Sequence, residues 1–573
     1  MRKDIHKLIL IFILLVIAKS LLSSFILAPS EFSDGYIYSK IARSVFFSQE
    51  LSVHEINVDH LPLYPIILSP AYIFQDMNNV YLFMKIINAF ISSLIIFPAF
   101  FLAKEFLSTK KSFLFSILIS VLPSNFAFSS YLMTENLFYP LFLTSVYLIY
   151  KSFQEDRIKY DILASVFIGL SFLTRALSLV LIFIVFALFV YKIIKKDYEI
   201  KDISIKLILY ILPFLIVISP WIVRNMLLSN NELGIITSHY VNKSFALPRP
   251  LNILLLFSFI WTLLYFGFIL LASGVIFLFM HLTTIKEFIK EKKLFLLVII
   301  SYLSILSIII IISRYNAGTV LSNEILFKTY GRPLGRHIDV VLPLILLLGV
   351  IGSTMYNKIK YKYLIATTII TAIILLFYVK LVFYPLFPLN NLSLAWIGTL
   401  KYGIDYLFYG KQTTDVIFSM ISFIFFILLF LIIPFSLFLL QKNKKLETNS
   451  IMKFFIIFFL LVSLLNYGLT YYNSNIWYNG EQMQLGLWLN DYDPKISNIL
   501  IDERDCTGKI SKEDQSSLCE PSKISTIIGF WLNDNIKIGD ISNLENVDYV
   551  ITKHNMDLEL VKESESGIMV YKR

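Results

Sequence analysis

The chain consists largely of long apolar runs, each about the length of a helix that crosses a bilayer. A spanning helix needs about 20 mostly apolar residues. Of the 573 residues, 57% are hydrophobic and only 16% are charged, whereas a typical soluble domain has about 25% charged residues. We therefore predict a polytopic all-α membrane protein with 13 transmembrane helices. The predicted spans are residues 7–28, 80–103, 112–130, 136–150, 160–174, 176–194, 205–222, 251–281, 294–313, 338–356, 363–384, 414–440 and 454–472.

The distribution of basic residues predicts the orientation of these spans. If the N-terminus is cytoplasmic, the even-numbered spans lead into cytoplasmic loops that together hold 22 Lys and Arg residues. The opposite loops are longer and yet poorer in basic residues. Positive charge is retained on the cytoplasmic side of a membrane. We therefore expect a cytoplasmic N-terminus and an extracytoplasmic C-terminus, and the net charge of +10 indicates membrane topology rather than nucleic-acid binding.

Two domains are predicted, a transmembrane domain over residues 1–472 and a small extracytoplasmic α/β domain over residues 473–573. The second domain contains Asp, Glu, Asn and Ser throughout. Alternating apolar and polar residues predict strands at 497–502, 547–552 and 568–572, with helices near 480–489 and 524–531. The predicted external loops of the first domain are residues 29–79, 223–250, 314–337 and 385–413.

The only two cysteines, Cys506 and Cys519, fall in this C-terminal domain. An oxidising compartment permits a disulfide between them, although two cysteines 13 positions apart can also remain free thiols. Zinc binding is unsupported, because the sequence has no Cys-x-x-Cys motif and no nearby pair of histidines.

The segment Ser33-Asp-Gly-Tyr-Ile-Tyr38 places an isolated carboxylate, Asp34, where the first apolar run meets water. Charged groups at this depth are costly and usually functional. Asp34 is therefore a candidate general base, and Tyr36 and Lys40 beside it are candidates for substrate binding. The alternative is a helix N-cap, since Ser33 or Asp34 would cap the helix that follows.

Further along the first loop, the segment Asp59-His-Leu-Pro-Leu-Tyr-Pro65 leads into an apolar stretch. Its two prolines favour a stiff, extended entry into a helix, which holds Asp59 and His60 at a defined height. A lone histidine is more often structural than catalytic. We favour hydrogen bonding to a phosphate or a sugar over direct catalysis by His60.

Charged residues also lie at the predicted external ends of later spans. Thr134 and Glu135 precede the fourth span, where a capping threonine with an acid in the first turn is ordinary helix chemistry; the alternative is a second acid in the external cavity. Snorkelling to headgroups explains one or two external arginines, but guanidinium groups also bind phosphate through two parallel hydrogen bonds. Pairing with loop acids such as Glu232, Glu324 and Asp339 remains an alternative. The arginines are Arg175, Arg224, Arg314, Arg332 and Arg336, and His337 follows the last of them.

Several catalytic signatures are absent from the sequence. It contains no P-loop, no Gly-rich dinucleotide fingerprint, no His-Glu-x-x-His and no Gly-x-Ser-x-Gly. Nucleotide-dependent chemistry is therefore unsupported, and we expect the donor to be an activated molecule carried in the membrane.

Taken in order, these segments resemble the GT-C superfamily of membrane glycosyltransferases. The resemblance is strongest to the branch that holds protein O-mannosyltransferases and the aminoarabinose transferases that modify lipid A. That branch has an acid soon after the first span, matched by Asp34, and a proline-rich segment leading into Leu-Tyr-Pro, matched by residues 60–65. The resemblance extends to about residue 345. Further matching segments are Met133-Thr-Glu-Asn136, Leu173-Thr-Arg175 and Pro220-Trp-Ile-Val-Arg-Asn225.

The chain departs from the family pattern in three ways. Leu61 replaces the first proline of a Pro-Pro pair, and Gly35 stands where many relatives carry a second acid. A divalent metal is therefore left open as a cofactor without a two-acid motif to support it. The absence of a Trp-Trp-Asp motif argues against an oligosaccharyltransferase.

The resemblance implies inverting transfer of a sugar from a dolichyl or undecaprenyl phosphate to an extracytoplasmic protein, lipid or glycan. Asp34 would deprotonate the acceptor, and the external arginines would stabilise the departing lipid phosphate. The polyprenyl tail would lie between helices among membrane lipids, and no nucleic-acid partner is expected.

Two other classes of protein are also considered. A transporter or flippase of lipid-linked sugars would also have many spans, but it should show inverted repeats and helices broken by Gly or Pro in mid-membrane. Neither is evident, since the prolines lie mostly at span ends. A non-catalytic relative would use its C-terminal domain only for binding.

Overall fold

The computed structural model of the chain forms two compact units. The first unit comprises Met1–Leu15, Ile91–Phe128 and Glu135–Asn466, and the second comprises Val16–Phe90, Ser129–Thr134 and Tyr467–Arg573. The structure describes residues 2–29, 34–196, 200–228, 251–319, 334–355, 391–409, 447–493, 495, 497–502, 524–539 and 546–573.

Most of the described residues are helical, as the apolar runs predict. Short 3-10 segments join several helices, among them Ser69–Ile73, Ala176–Ser178, Gly335–His337 and Leu392–Leu394. The α-helices are α1 (Arg2–Ser24), α2 (Asp34–Ser48), α3 (Leu63–Leu68), α4 (Met77–Ser93), α5 (Ile96–Lys104), α6 (Thr109–Ser120), α7 (Pro123–Phe126), α8 (Glu135–Glu155), α9 (Ile158–Phe172), α10 (Leu179–Ile194), α11 (Ile200–Leu228), α12 (Leu251–Ala272), α13 (Ile276–Lys290), α14 (Lys292–Thr319), α15 (Leu342–Thr354), α16 (Ala395–Tyr409), α17 (Thr448–Tyr478), α18 (Glu481–Tyr492) and α19 (Ile524–Phe530).

Seven helical segments of the described chain are long and apolar enough to cross a membrane, which makes this a multi-pass membrane protein. An eighth is added if Thr109–Ser120 and Pro123–Ser130, which meet at 66°, count as one bent span. The seven segments are Lys3–Ser24, Met77–Lys104, Ala176–Ile194, Ile203–Leu228, Leu254–Ala272, Lys292–Ala317 and Thr448–Tyr478.

The predicted count of 13 spans is not confirmed. The predicted spans at 363–384 and 414–440 lie outside the described residues. The spans predicted at 160–174 and 338–356 are helical, but α9 and α15 have only 15 and 13 residues. At 136–150 the helix α8 is long enough, but its tyrosine, serine and threonine side chains lower its hydropathy.

The prediction of one continuous span over residues 251–281 is wrong, because the chain breaks between α12 and α13. Gly274 and Val275 at the break have φ angles of +75° and +64°. Glycine adopts this left-handed conformation readily, whereas a β-branched residue does so at a cost. A Cβ on Gly274 would lie 2.2 Å from Cε1 of Phe455, so the close packing of that ring also requires glycine here.

The first loop, residues 29–79, folds within the second unit. After α2 come two short antiparallel strands, β1 (Ser52–Val53) and β2 (Ile56–Asn57), and then α3. The two prolines do lead into a helix, but the predicted extended entry is wrong at Pro62: this residue precedes α3 with helical backbone angles (φ −84°, ψ −24°), and Pro65 lies within the helix. Helix α2 packs against α3 and the 3-10 turn Ser69–Ile73.

The C-terminal part of the second unit contains a five-stranded mixed sheet. Its strands are β3 (Asn498–Asp502), β4 (Asn535–Gly539), β5 (Tyr549–Thr552), β6 (Glu559–Glu563) and β7 (Met569–Lys572), in the order β4-β3-β5-β7-β6. Strand β3 pairs in parallel with β4 and β5, and β7 pairs antiparallel with β5 and β6.

The sequence predictions for this region are confirmed where the alternation is strong. Strands β3, β5 and β7 and helices α18 and α19 match the predicted segments, whereas β4 and β6 were not predicted. The two helices pack on one face of the sheet and bury a mostly aliphatic core. That core consists of Leu485, Leu489, Ile499, Ile501, Ile528, Leu532, Ile536, Tyr549, Ile551, Ile568 and Val570.

Candidate functional site

Asp34 is the first residue of α2 and is half-buried. A carboxylate in the first turn of a helix is stabilised by the positive end of the helix dipole. Behind Asp34, Gly35 packs against Leu132, and a Cβ at Gly35 would lie 3.5 Å from the Cβ of Leu132. The position therefore suits both a helix-starting acid and a partly accessible base.

The aromatic side chains around His60 form one wall of this site. The ring of Tyr38 meets the ring of His60 edge-on at 6.2 Å and that of Tyr64 at 5.3 Å. The Tyr64 hydroxyl donates to Oδ1 of Asn88 at 3.1 Å, which fixes the ring. His60 is half-buried and its neighbour Asp59 is exposed. We name the group Asp34, Tyr38, His60 and Tyr64 the loop-helix site.

Two of the predicted substrate-binding residues, Tyr36 and Lys40, are buried and make contacts inside the protein. The Tyr36 hydroxyl is hydrogen-bonded to Nε2 of His54 at 2.7 Å. The Lys40 ammonium donates to the backbone carbonyl of Leu532 at 2.7 Å. Burial, aided by the nearby charge of Arg43, lowers the pKa of Lys40 well below its usual range.

Two further titratable groups lie near Lys40 and Arg43. Burial and the charges of Lys40 and Arg43 lower the pKa of His54 to about 3. Burial raises the pKa of Asp534 to about 6, against the opposing effect of a hydrogen bond donated by the Ser497 amide. At neutral pH the His54 ring is therefore uncharged.

The second group of candidate residues lies in the first unit and is centred on Arg175. Its Nη1 donates to Glu135 in an ion pair, and its Nη2 lies 2.7 Å from Nδ1 of His337. The hydroxyl of Tyr139 donates to the backbone carbonyl of Arg336 at 2.6 Å. We name Glu135, Arg175, Arg336 and His337 the arginine cluster.

The electrostatics of the arginine cluster determine its protonation states. Arginine has only donors, so Nδ1 of His337 accepts the hydrogen bond and the ring proton is on Nε2. Burial, with the charges of Arg175 and Arg336, lowers the pKa of His337 well below its usual range. Burial alone would raise the pKa of Glu135, but Arg175 and Arg336 hold it below its ordinary value. The cluster thus combines two guanidinium groups, one carboxylate and a neutral imidazole.

The ends of helices bring the arginine cluster together. Glu135 begins α8, and Arg175 lies in extended backbone between α9 and the turn Ala176–Ser178. The turn that carries Arg336 and His337 starts at Gly335, whose amide donates to Oδ1 of Asn391 at 3.1 Å. A Cβ at Gly335 would lie 2.2 Å from the Phe268 ring, so glycine is required there.

The other predicted site residues are not members of the arginine cluster in the part of the chain that the structure describes. Arg224, in the last turn of α11, stacks over Trp221 at 5.2 Å and donates to Oδ1 of Asn225 at 3.0 Å. Arg332, Cys506 and Cys519 lie outside the described residues, as do most of the loops 223–250 and 314–337. In the part of the chain that the structure describes, no group of three or more His, Cys, Asp or Glu side chains could hold a metal ion.

Residues 59–223 match the family model described as dolichyl-phosphate-mannose-protein mannosyltransferase. The fold is similar to the crystal structure of ArnT from Cupriavidus metallidurans bound to undecaprenyl phosphate, with a TM-score of 0.55 and 10% identity over 98% of this chain and 97% of that one. The apo structure of that ArnT matches with a TM-score of 0.50 and 11% identity over 97% of each chain. No curated protein sequence matches. These matches confirm the resemblance to the GT-C membrane glycosyltransferases of the ArnT and O-mannosyltransferase type.

Proposed function

We propose that this protein transfers a sugar from a polyprenyl phosphate to an extracytoplasmic acceptor, with inversion at the anomeric carbon. One observation carries the proposal: over nearly its whole length the chain is similar in fold to ArnT, whose crystal structure holds undecaprenyl phosphate. The family match over residues 59–223 supports it, because that segment includes His60, Glu135 and Arg175. The acceptor is a hydroxyl or similar group on a protein, lipid or glycan.

Asp34 acts as the general base in this proposal. Its carboxylate takes the proton from the acceptor hydroxyl while the acceptor oxygen attacks the anomeric carbon. The bond between that carbon and the phosphate oxygen breaks, and the polyprenyl phosphate leaves with the bonding electrons. A single displacement inverts the anomeric configuration. Asp34 suits this role because it is half-buried and therefore both accessible and partly shielded from water.

The donor phosphate is proposed to bind arginine side chains. Arg175 is held in place by Glu135 and His337, so its planar guanidinium is already oriented before any ligand arrives. Arg336 supplies a second positive charge in the same cluster, and Arg224 and Arg332 are further candidates. Fixed donors directed at the developing phosphate charge are the usual means of stabilising such a leaving group.

The proposed orientation places the N-terminus in the cytoplasm and residues 473–573 outside it. The test uses two reporter fusions, one after Arg573 and one near Lys444. We expect the first to be extracytoplasmic and the second cytoplasmic. Both reporters on one side of the membrane would contradict this topology.

The test of function uses the full chain, purified and reconstituted in lipid nanodiscs with polyprenyl-phosphate sugars of several kinds. Mass spectrometry should find a glycosylated acceptor and free polyprenyl phosphate in equal amounts. Analysis of envelope glycans in a deletion strain should find the donor accumulated and the product missing. Absence of transfer with every donor would overturn the proposal.

The transporter alternative requires its own arm of this test. The break at Gly274 and the 66° bend before Pro123 are features that broken transporter helices share. Proteoliposomes loaded with a fluorescent lipid-linked sugar would report movement across the bilayer. Movement without transfer would identify a flippase.

A further inference from the structure

The first-loop helix α2 has two faces with different surroundings. Successive residues of an α-helix are rotated by about 100°, so Tyr36, Lys40 and Arg43 share one face. Asp34 lies roughly 150° away from that face by the same rotation and shares the side of Tyr38. The loop-helix site is therefore on one side of α2, and the buried contacts of Lys40 are on the other.

The face of α2 that carries Tyr36, Lys40 and Arg43 contacts residues Gly529–Asn535, which we name the docking turn. It joins the end of α19 to β4. Lys40 donates to the carbonyl of Leu532 at 2.7 Å. Arg43 donates through Nε to Oδ1 of Asn533, and through Nη2 to the Asn533 carbonyl and to Oδ1 of Asn535, each at 3.2 Å.

The docking turn is also held by the residues that follow α2 in the chain. The ring of Tyr81 in α4 meets the rings of Phe530 and Trp531 edge-on at 5.7 and 5.8 Å. The side chain of Asn533 donates to the carbonyl of Gln75 at 3.4 Å. The turn is thus fixed independently of Lys40 and Arg43, so it can serve as a rigid support for α2.

Tyr36 packs closely against Gly529 of the docking turn. A Cβ on Gly529 would lie 2.9 Å from the Tyr36 hydroxyl oxygen, closer than such atoms pack. Tyr36 is only 2% exposed, and its hydroxyl is hydrogen-bonded to His54. The ring therefore has little room to move, and any side chain at position 529 would require it to shift.

We infer that the docking turn positions α2, and with it Asp34, for sugar transfer, which makes Lys40, Arg43 and Gly529 positioning residues. The inference rests on the proposed function, in which Asp34 is the base. It gives the C-terminal domain a part in catalysis through the backbone of α2 rather than through substrate contact. A misplacement of about 1 Å at a reacting group can lower a rate about 100-fold.

The experiment replaces Gly529 by Ala in the full chain, with Gly539→Ala as the matched control. Gly539 lies in β4, and a Cβ there would meet nothing within 4 Å. We expect Gly529→Ala to lower kcat for transfer about 10- to 100-fold with little change in the donor KM. We expect Gly539→Ala to resemble the wild type in both constants.

A rescue variant separates positioning from general damage. Gly529→Ala combined with Tyr36→Phe lacks the hydroxyl that the new methyl group meets. This double variant should transfer sugar faster than Gly529→Ala alone, although Tyr36→Phe loses the bond to His54. A double variant no faster than the single one would overturn the inference.

Hydrogen exchange of residues 34–48 gives a readout that needs no enzymatic activity. Exchange in α2 should be faster in Gly529→Ala than in Gly539→Ala, and unchanged protection would contradict the inference whatever the transfer assay shows. The two failures are distinguishable. If Asp34→Asn transfers normally while Gly529→Ala is slow, the base is misassigned. If Asp34→Asn is inactive while Gly529→Ala is normal, the positioning inference is wrong.

Discussion

The two units differ in the hydrogen-bond partners of their buried and half-buried basic side chains. In the arginine cluster, Arg175 is paired with the carboxylate of Glu135 and the neutral ring of His337. In the second unit, Lys40 donates to a backbone carbonyl and Arg43 to amide and carbonyl oxygens. Arg175 thus forms a direct ion pair, whereas Lys40 and Arg43 donate to neutral oxygens, and the negative charge of Asp534 acts on them only from nearby.

We infer from this difference that the basic side chains of the two units have different functions. A carbonyl dipole does not compensate a full charge, so burial lowers the pKa of Lys40, and the side chain serves to hold the backbone. Arginine stays charged in proteins, and pairing with Glu135 fixes its orientation without removing its proton. A fixed, permanently charged group suits an anionic ligand. Substitutions in the first unit should therefore change donor binding, and those in the second should change the placement of α2.

The largest expected effect is that of Asp34→Asn, which tests whether α2 carries the chemistry. We expect transfer to fall about 100- to 10,000-fold, the usual contribution of a general base, with expression and thermal stability near those of the wild type. The control is Glu50→Gln, an exposed acid of the same loop. Normal turnover of Asp34→Asn would leave Asp34 as a helix-starting residue alone.

Much of the difference between the two units could not be predicted from the sequence. Apolar runs predicted most of the described helices, and alternation predicted β3, β5 and β7, because these signals are local. The position of Asp34 at the start of a helix also followed from its neighbours. The break at Gly274 did not, since one glycine within a long apolar run rarely ends a helix.

The contacts of Lys40 and Arg175 could not be predicted from the sequence for a different reason. Lys40 meets Leu532, 492 positions away, and Arg175 meets His337, 162 positions away. Such pairs leave no periodic pattern in a single sequence. The sequence therefore predicts that Lys40 binds substrate, whereas in the structure its side chain is buried and donates to the docking turn.

For Arg175→Lys we expect a smaller loss of transfer activity than for Asp34→Asn. An ammonium retains the charge but cannot hold Glu135 and His337 in the fixed geometry of a guanidinium. Losing one hydrogen bond to a charged group costs about 1.5–3 kcal/mol, so we expect a loss of about 10- to 100-fold in kcat/KM, mainly through a higher donor KM. Steady-state kinetics with varied donor concentration would measure it.

The matched control for this prediction is Arg157→Lys in the same unit. Arg157 is 62% exposed and lies 3.6 Å from Glu155, and exposed ion pairs contribute little. We expect this variant to bind the donor normally. An equal rise of the donor KM in Arg175→Lys and Arg157→Lys would show that Arg175 acts only through its general charge. The proposed difference between the two units would then be wrong.

The smallest expected effect concerns pH and the pair His54 and Asp534. The folded pKa of His54, about 3, is below its ordinary 6.5, so its contribution to stability is complete above pH 6.5 and is lost as pH falls towards 3. The folded pKa of Asp534, about 6, is above its ordinary 3.8, so its contribution is complete below pH 3.8 and is lost as pH rises through 6. Between pH 4 and 6 the two slopes oppose each other.

Single variants should expose each slope, because each removes one of two opposing terms. Asparagine tolerates the left-handed backbone of residue 54, where φ is +51°, so His54→Asn is the suitable change. Relative to the wild type, its Tm should rise as pH falls from 6 to 4, whereas the Tm of Asp534→Asn should fall. Each slope is at most about 1.4 kcal/mol per pH unit, measured by tryptophan fluorescence in detergent. The Tm of the double variant should follow that of the wild type over this pH range. If the Tm of both single variants also followed that of the wild type, neither His54 nor Asp534 would have a pKa shifted from its ordinary value.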